Sequence, residues 1–247
     1  MTSSPQPAVR FDRVFKAFGT KQVLRNVSFD VPAGETLCIL GRSGTGKSVT
    51  LKLLIALLKP DDGKILVDGE DITNLNERGL SHIRRKMGFL FQDAALFDSL
   101  TLYENLSLPL RRLTQKSPEE IELVIDKVLG DVGLAGDKWK MPAALSGGMR
   151  KRAGLARALV LEPRILLVDE PSSGLDKITA SEIDELLMRQ KTDHGTTVLV
   201  VTHDVHGARR VGDRFIVLDK GDLVACGTAS EVERSENETA RKLITEY

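Results

Sequence analysis

The residues best suited to chemistry lie in three short strings. GRSGTGKS, residues 41–48, follows an apolar run and precedes a helical pattern. It fits G-x-x-x-x-G-K-[ST] in the strand–loop–helix context that gives this spacing its meaning. Glycines let the backbone N–H groups of residues 44–48 turn inward around a β-phosphate, and the following helix N-terminus adds its positive dipole end. Lys47 is then placed to reach β- and γ-phosphates, and Ser48 to ligate Mg²⁺. Gly41, Ser43, Gly44, Thr45, Gly46 and Val49 complete the loop. Val49 replaces a second hydroxyl that could touch an α-phosphate, so somewhat fewer phosphate contacts are expected.

ILLVDEP, residues 165–171, is an apolar strand ending in two carboxylates, at the strand end where open α/β sheets place their ligands. Asp169 suits Mg²⁺, usually through water, and Glu170 suits the polarisation of an attacking water. In LSGGMRKR, residues 145–152, Ser146, Gly147 and Gly148 open a helix over 149–159. Their N–H groups and hydroxyl offer an anion site separate from the phosphate loop. Three further features are ambiguous alone: the acidic turn SGLD at 173–176, His203 at the end of an apolar strand, and Gln92 just after another. Each reads as readily as structural.

These residues need a scaffold, and the hydrophobic pattern supplies one. Strands are expected at 9–15, 23–31, 36–40, 64–67, 87–91, 164–168, 196–201 and 215–218. Helices are expected at 47–58, 80–86, 177–190 and 205–211. The first is apolar nearly all round and belongs between layers. Strand and helix in alternation imply a mostly parallel sheet with helices on both faces. Over 99–145 the pattern turns helical, with Ser117 as cap and Pro118 in the first turn, which marks an inserted lobe. The tail, 231–247, is charged with spaced Leu243 and Ile244, and reads as a solvated helix or a dimer contact.

Composition narrows the function classes. The 247 residues, 41% hydrophobic, suffice for one large domain. Lys+Arg and Asp+Glu both number 35, so no global basic field would gather nucleic acid. Cys38 and Cys226 lack metal-ligand spacing, and a reduced compartment is the simpler reading. No window reaches the roughly 18–20 apolar residues of a bilayer span. The opening MTSSPQP has neither a basic n-region nor an apolar h-region. The chain is therefore expected in the cytosol unless a membrane partner recruits it.

The order GRSGTGKS, Gln92, LSGGM, ILLVDEP, SGLD and His203 resembles the ATP-binding-cassette (ABC) ATPases over roughly residues 9–230. The resemblance implies the P-loop NTPase form of an α/β fold within a single domain, 1–247. Segments 9–97 and 146–230 would form the core, with an N-terminal antiparallel β part. Segment 98–145 would be the helical subdomain and 231–247 a tail. It implies ATP and Mg²⁺ as cofactors. It assigns Glu170, His203 and Gln92 to catalysis, His203 toward the γ-phosphate, and Gln92 to sensing Mg²⁺ and water. Ser48, Gln92 and Asp169 would hold the metal. Phe18 matches the aromatic that stacks on adenine, with Phe15 nearby. Ser146, Gly147, Gly148 and Asp176 would close over the nucleotide of a second subunit, giving a head-to-tail homodimer.

Met149, where Gln is commonest, together with Gly-Lys-Ser-Val at 46–49 and the segments 90–97 and 100–105, is similar to the ATPases of MCE-type (Mla-type) lipid transport systems. That likeness implies an integral membrane permease with an MCE-domain lipid-binding protein, no nucleic acid, and a peripheral place on the cytoplasmic side of the inner membrane. In the family a permease coupling helix enters a groove between lobes. Leu96, Phe97, Leu100, Leu102, Tyr103 and Leu106 are candidates for lining it or for the lobe's own core. Another transporter class, for solutes or lipoproteins, is the alternative. A non-transport ABC ATPase is the minor one.

Overall fold

The computed structural model describes residues 6–245. The first five residues of MTSSPQP and the last two of the tail lie outside them. The elements run β1 (Val9–Phe18), β2 (Lys21–Val31), β3 (Thr36–Leu40), α1 (Lys47–Leu54), β4 (Asp62–Val67), β5 (Glu70–Asp71), α2 (Glu77–Arg85) and β6 (Met87–Leu90). They continue with α3 (Leu102–Leu113), α4 (Pro118–Asp131), α5 (Gly147–Leu159), β7 (Ile165–Asp169), α6 (Lys177–His194), β8 (Thr197–Val201), α7 (Val205–Val211), β9 (Arg214–Asp219), β10 (Asp222–Gly227), α8 (Ala229–Glu233) and α9 (Glu238–Thr245).

Two sheets result. One is antiparallel, in the order β2-β1-β4-β5. The other runs β10-β9-β3-β8-β7-β6, with every pair parallel except β9 with β10. Its central strands are buried on both faces, and alternate residues serve two cores. Leu37, Ile39, Leu167, Leu199 and Ile216 join the core shared with β1, β2, β4 and α1. Cys38, Leu40, Leu166, Val168 and Val200 join the core shared with α3–α7. A one-residue slip would exchange the two faces of a strand, so the burial fixes register. It thereby fixes where Asp169 and Glu170 emerge from β7.

Several boundaries differ from the sequence reading. Helix α1 ends at Leu54, not at 58. Pro60 disfavours helical geometry at Lys59, Ala56 takes φ 53°, and Arg84 captures the released carbonyls of Ile55 (3.0 Å) and Ala56 (3.2 Å). Helix α2 starts at Glu77 because Asn76 caps it, accepting from Gly79 N. Strand β1 runs on to Phe18, and two strands stand outside those expected: β5, which has no apolar residue, and β10 at the sheet edge. The start of α4 is a capping box of Ser117 and Glu120 with Pro118 inside the first turn. The tail folds back as α8 and α9. It buries Ala240 and Ile244, and Arg209 donates to Ile244 O at 3.2 Å. Cys38 and Cys226 are both free thiols, one buried and one exposed. Among the described residues no helix is long and apolar enough to cross a membrane.

Candidate functional site

The phosphate loop joins β3 to α1, and backbone geometry explains its glycines. Gly46 caps α1 at φ 103°, and a Cβ there would meet Val23 O at 2.8 Å. Only glycine fits that approach. Thr45 Oγ1 donates to Arg42 O at 2.9 Å, bracing the loop from inside. Lys47 is buried, and its Nζ donates to Gly41 O (2.9 Å) and Arg42 O (3.2 Å). The ammonium therefore stands at the centre of the loop. Burial lowers its pKa, with Glu170 and Asp169 opposing that shift.

Beside the loop, β7 delivers the acidic pair. Ser48 Oγ donates to Asp169 Oδ1 at 2.9 Å. Burial raises the Asp169 pKa against that hydrogen bond. Glu170 turns out of the strand at φ 49°. Its Oε2 accepts from Thr202 Oγ1 and His203 N, both at 3.3 Å, and lies 2.8 Å from His203 Nδ1. Its Oε1 lies 3.8 Å from Lys47 Nζ. One oxygen is thus anchored by the end of β8 while the other faces the loop ammonium.

These groups open on one cleft of about 860 Å³, lined by Phe18, Ser43, Gly44, Gly46, Lys47, Ser48, Val49, Gln92, Glu170 and His203 among others. Phe18, at the end of β1, lines it and is about half exposed; Phe15 does not line it. Gly41, Thr45 and Asp169 buttress the loop from behind through the bonds just given. Hard oxygen donors on Ser48, Asp169 and Gln92 fit Mg²⁺, which commonly takes one or two carboxylates plus substrate phosphates. No cluster of three or more His, Cys, Asp or Glu suited to a metal occurs among the described residues.

The signature residues form a separate locus. Ser146 caps α5, and Ser146 and Gly147 are exposed. A Cβ on Gly148 would meet Thr179 Cγ2 at 2.3 Å, so α5 and the start of α6 touch there. Asp176 caps α6, accepting from Ile178 N and Thr179 N at 3.0 Å and from Thr179 Oγ1 at 2.7 Å. Those bonds from Thr179 and Ile178 hold its carboxyl below the usual range. None of Ser146, Gly147, Gly148 and Asp176 lines the nucleotide cleft of its own chain.

A model of the family described as "ABC transporter" matches residues 24–173, more than half of the chain. The chain belongs to the ABC transporter family. Within it the cassette is 45% identical over 237 residues to a probable ribonucleotide transport ATP-binding protein, mkl, of Mycobacterium leprae. That match covers 96% of this chain and 68% of the relative. It is also 41% identical over 245 residues to the methionine import ATP-binding protein MetN of Rhizobium meliloti, again covering 96% and 68%. The chain thus spans about two thirds of these relatives. Among solved structures, a dimeric ATP-binding cassette in a post-hydrolysis state with ADP and Pi matches with a TM-score of 0.83 and 36% identity, covering 89% of this chain and 98% of that one. The cassette is an ATP-hydrolysing subunit that uses ATP and Mg²⁺.

The structure adds residues that the sequence reading missed. Lys151, on α5, is buried, and its Nζ donates to Glu170 O at 2.8 Å. Its signal was present: Gly148, Lys151 and Leu155 form a buried i, i+3, i+7 stripe, and a lysine there is out of place. Asp204 accepts from Ser172 Oγ at 3.0 Å, joining the end of β8 to the acidic turn. Asn105 is fully buried and pins the 97–101 loop, accepting from Phe97 N (2.8 Å) and donating to Leu100 O (3.0 Å).

The six apolar candidates divide between core and surface. Leu102 and Leu106 are fully buried in the lobe core, because they lie on the inward stripe of α3. Of the six candidates only Phe97 lines the surface cleft of about 380 Å³. Its other walls are Phe89, Leu108, Pro109, Leu113 and Leu161, with Arg84, Arg112 and Arg157 around them.

Proposed function

We propose that this cassette is the motor of a membrane transporter of the MCE (Mla) lipid-transport type. It would act as a head-to-tail homodimer on the cytoplasmic face of the inner membrane. The observation that carries the motor reading is the pair of loci on one chain. Lys47, Ser48, Gln92, Glu170 and His203 share a cleft, with Asp169 bonded to Ser48 behind it, while the exposed helix N-terminus at Ser146 and Gly147 stands off it. In a head-to-tail pair each helix N-terminus would meet the nucleotide of the other copy. The γ-phosphate would then hold the two together, and its loss would release them.

In this reading Phe18 stacks on adenine, and the N–H groups of the 41–48 loop surround the phosphates. Val49 makes no polar contact. Lys47 exchanges its loop carbonyls for β- and γ-phosphate oxygens. Ser48, Asp169 and Gln92 would hold Mg²⁺, which supplies charge neutralisation on those phosphates. Glu170 takes the proton of the attacking water through Oε1 as the new oxygen–phosphorus bond forms and the bond to the ADP oxygen breaks. Thr202 and His203 keep the Glu170 carboxylate aimed by engaging Oε2. Ser146, Gly147, Gly148 and Asp176 face the partner's nucleotide.

The lipid class rests on Met149, on Gly-Lys-Ser-Val at 46–49 and on the segments 90–97 and 100–105. The division of the chain into a core at 9–97 and 146–230, a helical subdomain at 98–145 and a tail at 231–247 belongs to the same proposal. A second reading, the ATPase of a solute importer, is favoured by the likeness to MetN, whose name assigns it to methionine import. Affinity purification of the tagged chain from gently solubilised membranes separates the two. A multi-span permease together with an MCE-domain protein supports lipid transport. A solute-binding protein overturns it.

A further inference from the structure

Helix α5 carries a buried ammonium into the hydrolysis site. Lys151 is only 6% exposed, and its Nζ donates to the backbone carbonyl of Glu170 at 2.8 Å. The same carbonyl accepts from Ser173 N at 3.3 Å, while Glu170 N donates to Val201 O at 2.8 Å. Glu170 itself stands at φ 49°, a left-handed conformation that a residue with a Cβ keeps only when its surroundings hold it. Glu170 is therefore held through both of its flanking peptides, by β8 at its N–H and by Lys151 at its C=O.

Stability does not explain the lysine. Burying an ammonium is unfavourable, and an apolar side chain of similar volume would fill the site at lower desolvation cost. Asp93, Asp169 and Glu170 favour its charged form while burial opposes it. What distinguishes lysine here is the donor that reaches Glu170. The helix that holds it has other attachments. Ser146 caps its start. Six residues beyond Lys151, about 9 Å along a helix at about 1.5 Å per residue, Arg157 lines the lobe cleft and donates to the carbonyls of Ala94 and Ala95. Leu155 and Ala156 share a core with Leu106 and Ile125 of the helical lobe. A shift of α5 therefore moves Lys151 with it.

We infer that Lys151 is a positioning residue for ATP hydrolysis: its hydrogen bond to the Glu170 carbonyl makes the placement of α5 set the aim of the Glu170 carboxylate. The inference rests on Glu170 being the water-activating group.

The test compares Lys151→Met and Lys151→Gln with the wild-type chain in kcat, KM, equilibrium ATP affinity and Tm. Lys151→Met is also combined with Glu170→Gln and followed in single-turnover assays with radiolabelled ATP. A misaimed group costs on the order of 10- to 100-fold, so Lys151→Met should lower kcat by at least about 10-fold. Its ATP affinity should stay within about twofold and its Tm should not fall. Lys151→Gln keeps an N–H donor and should recover most of the rate. In the Glu170→Gln background Lys151→Met should add less than about twofold, because both act through one group.

Wild-type kcat in the Met variant overturns the inference. So do a Met variant that does not fold, a Gln variant as slow as the Met variant, and an undiminished further loss in the double variant. A Glu170→Gln chain that turns over at the wild-type rate is a different result, and it removes the role given to Glu170 itself.

Discussion

His203 Nδ1 lies 2.8 Å from Glu170 Oε2, although the two residues come from different strand ends. The Glu170 side chain is nearly buried, whereas that of His203 is 68% exposed. The histidine therefore covers the carboxylate from the solvent side. Thr202 Oγ1 and His203 N support the same oxygen, which leaves Oε1 toward Lys47. His203→Ala should lower kcat by about 10- to 100-fold, the scale of a misplaced acid–base group. Affinity for ATP should change by less than about threefold. Steady-state kinetics with a fluorescent-nucleotide titration checks both.

Lys47 stands apart from that pair in what its loss removes. Its ammonium sits inside the loop, bonded to Gly41 O and Arg42 O, where it would meet phosphate oxygens as a charge-assisted donor. Lys47→Ala should weaken ATP binding by about 10-fold or more, given about 1.5–3 kcal/mol for a hydrogen bond to a charged group. Isothermal titration with Mg·ATP measures it. Unchanged affinity would remove Lys47 from the site.

Ser146 lies off the cleft of its own chain. Ser146→Arg should leave ATP binding by the monomer within about twofold while abolishing ATP-induced dimers, since the bulk falls only on the surface that would meet a second copy. Sedimentation with and without ATP, in a hydrolysis-deficient background, reads the outcome. An ATP-induced dimer of the variant would contradict cross-subunit contact at α5.

Asp184, on α6, is buried beside Arg210, and burial raises its pKa to about 6 despite that arginine. The folded state thus holds a proton that the unfolded chain releases from near pH 4 upward. This group's contribution to stability is complete below that range and is lost as pH rises to about 6. Asp184→Asn cannot titrate. Relative to wild type it should gain stability as pH rises from about 4 to about 6 and hold that gain above. Chemical denaturation of both proteins across that range tests the sign. A difference independent of pH would refute it.

Much of the site was legible because its motifs carry their own context. GRSGTGKS sits between a buried strand and a helix, and the two carboxylates of ILLVDEP emerge at a strand end fixed by two-faced burial. What escaped reading depends on contacts between distant segments. The end of α1 is decided partly by Arg84, which captures two carbonyls 28 and 29 residues away. Phe18 and Phe15 could be separated only once β1 was known to run to residue 18. β10 carries the short apolar run 223–226 but pairs at the sheet edge, where its residues stay partly exposed and no period-2 pattern marks a strand. Lys151 was hidden for a different reason. It stood inside a string already assigned to anion binding; its neighbours on the stripe mark it as buried, and its bond to the Glu170 carbonyl exists only once α5 packs beside the end of β7.

The central claim is that Glu170 activates water while Lys47 and its loop hold the nucleotide, and Glu170→Gln separates these two acts in one protein. The decisive measurement is the ATPase rate and the Mg·ATP affinity of that variant beside wild type. Hydrolysis slower by at least about 100-fold with affinity preserved within about threefold is the predicted result. Wild-type turnover, or loss of binding in step with loss of rate, would contradict it.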